Sequence, residues 1–212
     1  MLNLHRPRRV LGCLAIVVSL AGVLAVDGCE QNDEGGKFRL TYYWVVSPED
    51  ADLTTPLVDV LDLDGMVIAQ APEDLVMQIA LEGSGFLEDG TLINLACACP
   101  YPDSRFFVVD TALFPWGVDA RGEALVPFFT LAIDPDAIAL GATVYITDYD
   151  GLAVPIGTVH DGCFFAGDTG FSIAGRHIDL FAGTRAHFLA VDTALNGLDR
   201  VKLTTGADVP CP

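Results

Sequence analysis

The fold is most legible in Asp168-Thr169-Gly170-Phe171-Ser172-Ile173-Ala174-Gly175-Arg176-His177-Ile178-Asp179-Leu180-Phe181. This stretch divides into a turn and a strand. Asp-Thr-Gly is a turn sequence, because a short aspartate side chain bonds the backbone just ahead of it. From His177 the pattern changes to alternation. Successive strand residues point to opposite faces, so His177 and Asp179 share one face and Ile178 and Leu180 share the other. Ile178 and Leu180 can fill an interior. A histidine and an aspartate side by side need solvent or a polar site, since an unpaired buried charge is costly.

Working outward, the punctuation stays that of short strands. Phe128 to Ile133 is apolar and ends at Asp134-Pro135. Gly141-Ala142-Thr143-Val144-Tyr145-Ile146 predicts a strand, closed by a turn at 148–151. Thr158 to Ala166 predicts another, with a turn at Gly167-Asp168-Thr169-Gly170. Phe188, Leu189, Val191 and Leu195 recur at helical spacing, so Thr184 to Asn196 predicts a helix that Gly197 ends. Val201 to Thr204 would be the last strand. Before Pro127, strands are expected at Phe38–Val46, Leu75–Leu81 and Gly90–Ala96. An irregular stretch from Pro100 to Pro127 is expected to carry a disulfide. No internal repeat is present.

The N-terminus reads as an export signal. Basic His5-Arg6-Pro7-Arg8-Arg9 precedes an uncharged run from Val10 to Val26, short for a permanent membrane span. The run ends at Val26-Asp27-Gly28-Cys29, which resembles a bacterial lipobox with Cys29 as the lipidated residue; Asp27 is an unusual neighbour. Residues 1–28 are thus expected to be a signal peptide and 29–37 a flexible tether, polar as such a linker should be. Loss of 1–28 removes Arg6, Arg8, Arg9 and Asp27, leaving 184 residues with 8 basic and 28 acidic side chains, a net charge of −20. A chain that acidic is a poor partner for nucleic acid. Cys97, Cys99, Cys163 and Cys211 remain beside Cys13 and Cys29, and an even number in an exported chain suggests two disulfides. Pairing Cys97 with Cys99 is the least expected, because a one-residue loop strains the bridge. The Cys97-Ala98-Cys99 spacing is too tight for a usual zinc pair, and no metal or cofactor is expected.

Three segments together resemble the 3D (three-aspartate) domain. Ala132-Ile133-Asp134-Pro135 with Leu140 to Ile146 is similar to its A-V-D-P…P-L-G-T-x-V-Y-I. Asp168-Thr169-Gly170 with Ile173 and Gly175 is similar to its D-T-G-G-A-I-x-G. His177-Ile178-Asp179-Leu180-Phe181 is similar to its R-I-D-L-F. Order and spacing match across about residues 127–204. The resemblance implies a mainly β fold: a six-stranded double-psi β-barrel, barwin/endoglucanase-like, with residues 38–126 as an N-terminal β-rich part with an insertion, 127–212 as the 3D domain, and one short helix. Relatives in that family include membrane-bound lytic transglycosylase A and rare lipoprotein A-like barrels.

The resemblance also implies roles. Asp179 matches the general acid/base, Asp168 its partner, and Asp134 a structural aspartate fixing a turn. Glycosidic cleavage needs a proton delivered to the leaving oxygen. A lytic transglycosylase manages with one acid/base, because the muramic 6-hydroxyl is the internal nucleophile. Two nearby carboxyls raise one another's pKa, which keeps one protonated. The implied activity is cleavage of peptidoglycan glycan strands by an envelope protein on the periplasmic side, held to the membrane through Cys29. His177, Trp116 and Tyr42 are candidate substrate contacts, with Trp44 a further aromatic, although core packing is the commoner fate of aromatics. Glu82 is a possible second carboxylate or simply a turn residue. His160 reads as the end of a strand or loop. Where the family has Gly, Ala and Lys, this chain has Phe171, Ser172 and Ala174. Phe171 would block a backbone approach that needs glycine. That motivates an alternative, a non-catalytic expansin-like glycan-binding barrel.

Overall fold

In the computed structural model, residues 36–97 and 99–211 are described. The expected signal peptide, Cys29 and most of the tether lie outside them. A seven-stranded sheet forms the centre. In chain order its members are β1 (Phe38–Trp44), β7 (Thr130–Ile133), β8 (Thr143–Tyr145), β11 (Cys163–Asp168), β12 (His177–Gly183), β13 (Arg200–Val201) and β14 (Thr204–Thr205), arranged β13-β1-β12-β7-β11-β8-β14. β1/β12 and β7/β11 run parallel, and β12/β7 antiparallel between them. No pairing between β13 and β14 closes the sheet among the described residues.

Alternation decides what this sheet buries. Leu40, Leu131, Ile133, Val144, Phe164, Ile178 and Leu180 enter one core, which α2 (Arg185–Ala194) covers with Val191 and Phe188. Burying a side chain of this size is worth about 1.5–3 kcal/mol. Thr184 caps α2 by accepting the His187 N–H at 3.1 Å. His160 is buried beneath the sheet, 1 % exposed, between the Phe129 and Phe164 rings. Its Nδ1 accepts from Gly162 N–H at 2.8 Å, so Nε2 carries the hydrogen and donates to Phe128 O at 2.7 Å. This neutral ring holds Phe128, whose φ of 65° is left-handed, and burial keeps its pKa low.

The rest of the chain builds a second body of structure on the same unit. β2 (Leu57–Leu61) and β3 (Val67–Pro72) form a hairpin leading into α1 (Glu73–Glu82). β4 (Ser84–Phe86), β5 (Leu92–Leu95) and β6 (Phe106–Val108) form a three-stranded sheet. A two-stranded ribbon, β9 (Ala153–Val154) with β10 (Thr158–Val159), completes the set. Val46, just past β1, bridges Gly85, so one strand feeds both sheets. A Cβ at Gly85 would overlap Ile79 and Val46, which is why glycine sits where the helix meets the strand.

Several local expectations are corrected. Leu75–Leu81 is helix, not strand. Leu75, Val76, Ile79 and Ala80 are buried at helical spacing, Glu73 and Asp74 favour the N-terminus, and Gly83 terminates it with φ 90°. The described residues therefore hold two α-helices. β11 runs on through Asp168, so the aspartate ends a strand instead of opening a turn, and β10 is separate from it. The last strand is two short ones, β13 and β14. The disulfides pair Cys163 with Cys211 and, against expectation, Cys97 with Cys99, where a bend brings the two Cα atoms to 5.2 Å, inside the range a bridge can close.

Candidate active site

The register puts the two carboxylates in one row. Asp168 on β11 and Asp179 on β12 both pair with Ala132 on β7, and Asp179 pairs with Thr41 on β1. The row across the sheet is Asp168, Ala132, Asp179, Thr41. Adjacent strands lie about 4.8 Å apart, so the aspartate Cα atoms are about 10 Å apart, separated only by a methyl group. Ala132 thus forms the floor of a cavity of about 390 Å³ that both aspartates line.

Each carboxyl has specific partners. Thr41 Oγ1 donates to Asp179 Oδ1 at 2.7 Å and meets His177 Nε2 at 2.8 Å, joining the His and Asp of the shared strand face. Tyr43 Oη donates to Asp168 Oδ2 at 2.8 Å, while Ala120 N–H and Thr169 N–H donate to Oδ1 at 3.0 and 2.9 Å. Tyr43 reaches from β1 to β11, three strands along the sheet, so the sheet is strongly curled there. Burial pushes Asp179 up to about 6, helped by the Asp168 charge and opposed by Thr41 and Arg39. Burial pushes Asp168 up to about 6 as well, opposed by the Tyr43 bond. Burial and the neighbouring Asp168 hold Tyr43 far above its ordinary range, so it stays a donor.

The other wall comes from outside the three motifs. Glu82, at the end of α1, lines the cavity and accepts Trp44 N–H at 3.2 Å; burial raises its carboxyl to about 8. Ser84 and Asn94 lie beside it, with Asn94 clamped to the Val118 backbone through both amide atoms at 3.0 Å. Asp119, only 7 % exposed, binds Arg121 and Glu123 N–H with Oδ1. That holds the turn whose Ala120 N–H reaches Asp168. Gly167 permits the approach, since a Cβ there would come within 2.5 Å of Asp119 Oδ2. Sequence reasoning missed Asp119; its only sequence signal was an aspartate in a Pro/Gly-rich stretch.

The remaining candidates divide. His177 does not line the cavity and acts on it through Thr41; burial and Arg39 keep its pKa low. Tyr42 faces the core, with its hydroxyl on Tyr149 at 2.7 Å and its ring tilted on Phe188, so it is not placed to touch a ligand in the cavity. Trp44 stacks on Phe188 from the same face. Trp116 packs edge-on against Phe181 and is not a lining residue. Asp134 accepts Asp136 N–H at 2.9 Å and Gly175 N–H at 2.6 Å, tying its turn to the loop before β12; these bonds lower its pKa. Phe171 is 50 % exposed at the cavity rim and does not fill it. Its far side lines a second, apolar hollow of about 380 Å³ with Met77, Leu81 and Tyr101. Among the described residues no three His, Cys, Asp or Glu side chains come together to hold a metal ion, and no helix is long and apolar enough to cross a membrane.

Residues 129–192 match the model of the 3D domain. The fold is similar to that of Escherichia coli MltA, crystallised with bound chitohexaose: TM-score 0.53 at 14 % identity, covering 80 % of this chain and 71 % of that one. A membrane-bound lytic murein transglycosylase from Agrobacterium tumefaciens aligns at TM-score 0.49 and 16 % identity, over 79 % and 72 % of the two chains. Lytic transglycosylase LtgG of Burkholderia pseudomallei aligns at 0.43 and 15 %, over 83 % and 74 %. No curated protein matches the chain.

Proposed function

From the premise that residues 129–192 are a 3D domain, we propose that this protein is an envelope enzyme that cleaves peptidoglycan glycan strands as a lytic transglycosylase. The observation that carries it is the row Asp168-Ala132-Asp179 along the floor of one cavity, with both carboxyls pushed up to about 6. A carboxyl that keeps its proton into the mildly acidic range can protonate a glycosidic oxygen, and after the bond breaks the same group is the base. Asp179 fits the acid/base role because Thr41 holds one carboxyl oxygen while the side chain lines the cavity. The sequence of events is balanced: Asp179 gives its proton to the leaving sugar oxygen, the muramic 6-hydroxyl attacks the anomeric carbon, and Asp179 takes the proton of that hydroxyl. The product carries a 1,6-anhydro ring, and no water is consumed. Asp168, held by Tyr43 and two backbone N–H groups, sustains the raised pKa of Asp179 by like charge and takes no part in bond making.

The barrel belongs to this reading too. The parallel β1/β12 and β7/β11 pairs and the reach of Tyr43 support a double-psi barrel. The export signal at 1–28 and the lipid site at Cys29 rest on the sequence alone. Phe171 stands half exposed at the cavity rim, which supports the catalytic reading over the non-catalytic expansin-like alternative.

The test is digestion of purified sacculi with the full chain. Release of 1,6-anhydro-muropeptides by the wild type, and none by Asp179→Asn, is expected. Ordinary reducing ends in place of anhydro ends would make it a hydrolase; no release and no sedimentation with sacculi would end the glycan reading.

A further inference from the structure

Glu82 breaks two local rules. It is an acidic residue in the last turn of a helix with no basic residue there, where the backbone dipole disfavours negative charge. It is also largely withdrawn from solvent beside other carboxyls, and the charged groups acting on it, Asp179 from β12 and Asp50 from the turn at Pro48–Asp50, are both acidic. Such violations concentrate at working sites.

The backbone is arranged to hold this side chain. β1 pairs with β12 in register until Tyr43↔Phe181, then slips, so that Trp44 pairs with Gly183. Bulges of this kind re-aim groups beside active sites. At the slip, Trp44 N–H points to Glu82 Oε2 at 3.2 Å, while the chain resumes with Val45 N–H on Gly183 O at 3.0 Å. The strand that supplies Thr41 to Asp179 and Tyr43 to Asp168 therefore also anchors Glu82, and all three carboxyls line one cavity.

We propose that Glu82 is a hydrogen-bond donor to an acceptor oxygen of the glycan strand lying in this cavity, a specificity residue supplied by the wall that carries no 3D-domain motif. This rests on the glycan reading above. Burial supplies the proton: the carboxyl is raised to about 8, so the acid form persists at neutral pH, where an ordinary glutamate would be a pure acceptor. Ionisation converts the donor into a buried acceptor facing substrate oxygens, and binding weakens.

The experiment is calorimetric binding of chitohexaose, the N-acetylglucosamine hexamer, to the full chain from about pH 7 to about pH 9, a window above the titration of Asp168 and Asp179 that brackets the shifted Glu82 carboxyl. Wild-type affinity is expected to fall about tenfold across that range, the worth of one lost hydrogen bond. Glu82→Gln keeps a donor that does not titrate, so its affinity should match wild type at the acidic end and stay level. Glu82→Leu should be weaker by about tenfold throughout. A wild-type affinity that is flat to the alkaline end, or Glu82→Gln as weak as Glu82→Leu, overturns the proposal and leaves the glycan reading standing. No wild-type binding at any pH removes both.

Discussion

The two walls of the cavity differ in kind. The wall that carries the 3D-domain motifs is built on paired strands: register sets Ala132, Asp179 and Thr41 in line, and a one-residue bulge in β11 between Phe165 and Asp168 turns Asp168 into the same row. The other wall is built from a helix end, a short strand and a tight turn, carrying Glu82, Ser84, Asn94 and Asp119. Strand register fixes a side chain to a fraction of a residue step, because a one-residue slip turns it to the other face. Helix ends and turns are fixed only by what they dock against. Under the proposed function, the first wall suits proton transfer and the second suits substrate recognition.

If the walls divide labour this way, damage to the first should be far costlier. Asp179→Asn is expected to lower anhydro-muropeptide release by about 10³-fold or more, since a positioned acid/base contributes roughly 10²–10⁴. The same change should stabilise the protein. An acid with a raised native pKa favours folding fully below its unfolded pKa of 3.8, and that contribution is lost as pH rises through about 6. Asparagine escapes the loss, so above about pH 6 Asp179→Asn should be more stable by up to about 3 kcal/mol, read by denaturant unfolding. A destabilised Asp179→Asn would mean that the carboxylate serves the fold and not the chemistry.

Next in size is the floor. Ala132→Leu puts a branched side chain between the two carboxyls, at a position only 4 % exposed on the cavity floor. Release is expected to fall about 10²-fold, with most of the loss in binding, and stability to fall by about 1–3 kcal/mol from overpacking. Equal damage from Leu95→Phe, which enlarges the second wall, would erase the distinction drawn between them.

The contrast also explains what the sequence made legible. The alternation from His177 to Leu180 correctly placed two residues on a core face and two on a polar one, because β-period is local and one strand is enough to see it. The order of Asp134, Asp168 and Asp179 located the domain. The helix at Glu73–Glu82 was misread because Leu75, Ile79 and Leu81 also fit an alternating pattern over so short a span; the acidic first turn and Gly83 were the better signals. Aromatic residues misled in a different way. Tyr42, Tyr43 and Trp44 are adjacent in sequence, yet only the odd-numbered one faces the cavity, and it acts through a hydroxyl on Asp168 instead of a ring face on a sugar. Asp119 meets the other carboxyls only across the fold, at a separation no pattern in one sequence reports, whereas Glu82, read as a possible second carboxylate or a turn residue, stands at a helix end and lines the cavity with them.

A smaller effect tests the coupling inside the first wall. The Asp168 charge raises the Asp179 pKa. Activity that needs protonated Asp179 should decline above about pH 6, and Asp168→Asn should move that alkaline limb to lower pH. Thr41→Val removes the bond that lowers the Asp179 pKa and should move the limb the other way, with a change in peak rate of only a few-fold. Opposite shifts from two neighbours of one carboxyl identify Asp179 as the titrating group; shifts in the same direction would point to a different acid.

The smallest expected effect concerns the rim, where the two walls meet. Phe171 is half exposed between the polar cavity and the apolar hollow lined by Met77, Leu81 and Tyr101. Under the proposed function, a ring in that position would offer a flat apolar face to a sugar. Phe171→Ala should weaken chitohexaose binding by about three- to tenfold, in the range of one aromatic contact, and should leave the alkaline limb of the pH–rate profile where it was, because no hydrogen bond ties the ring to either aspartate. Phe171→Gly, which restores the residue of the family pattern, should bind no more tightly than Phe171→Ala. Tighter binding with glycine would mean that the backbone at 171, not the ring, is what the strand approaches, and the rim would then belong to the register-built wall instead of to the docked one.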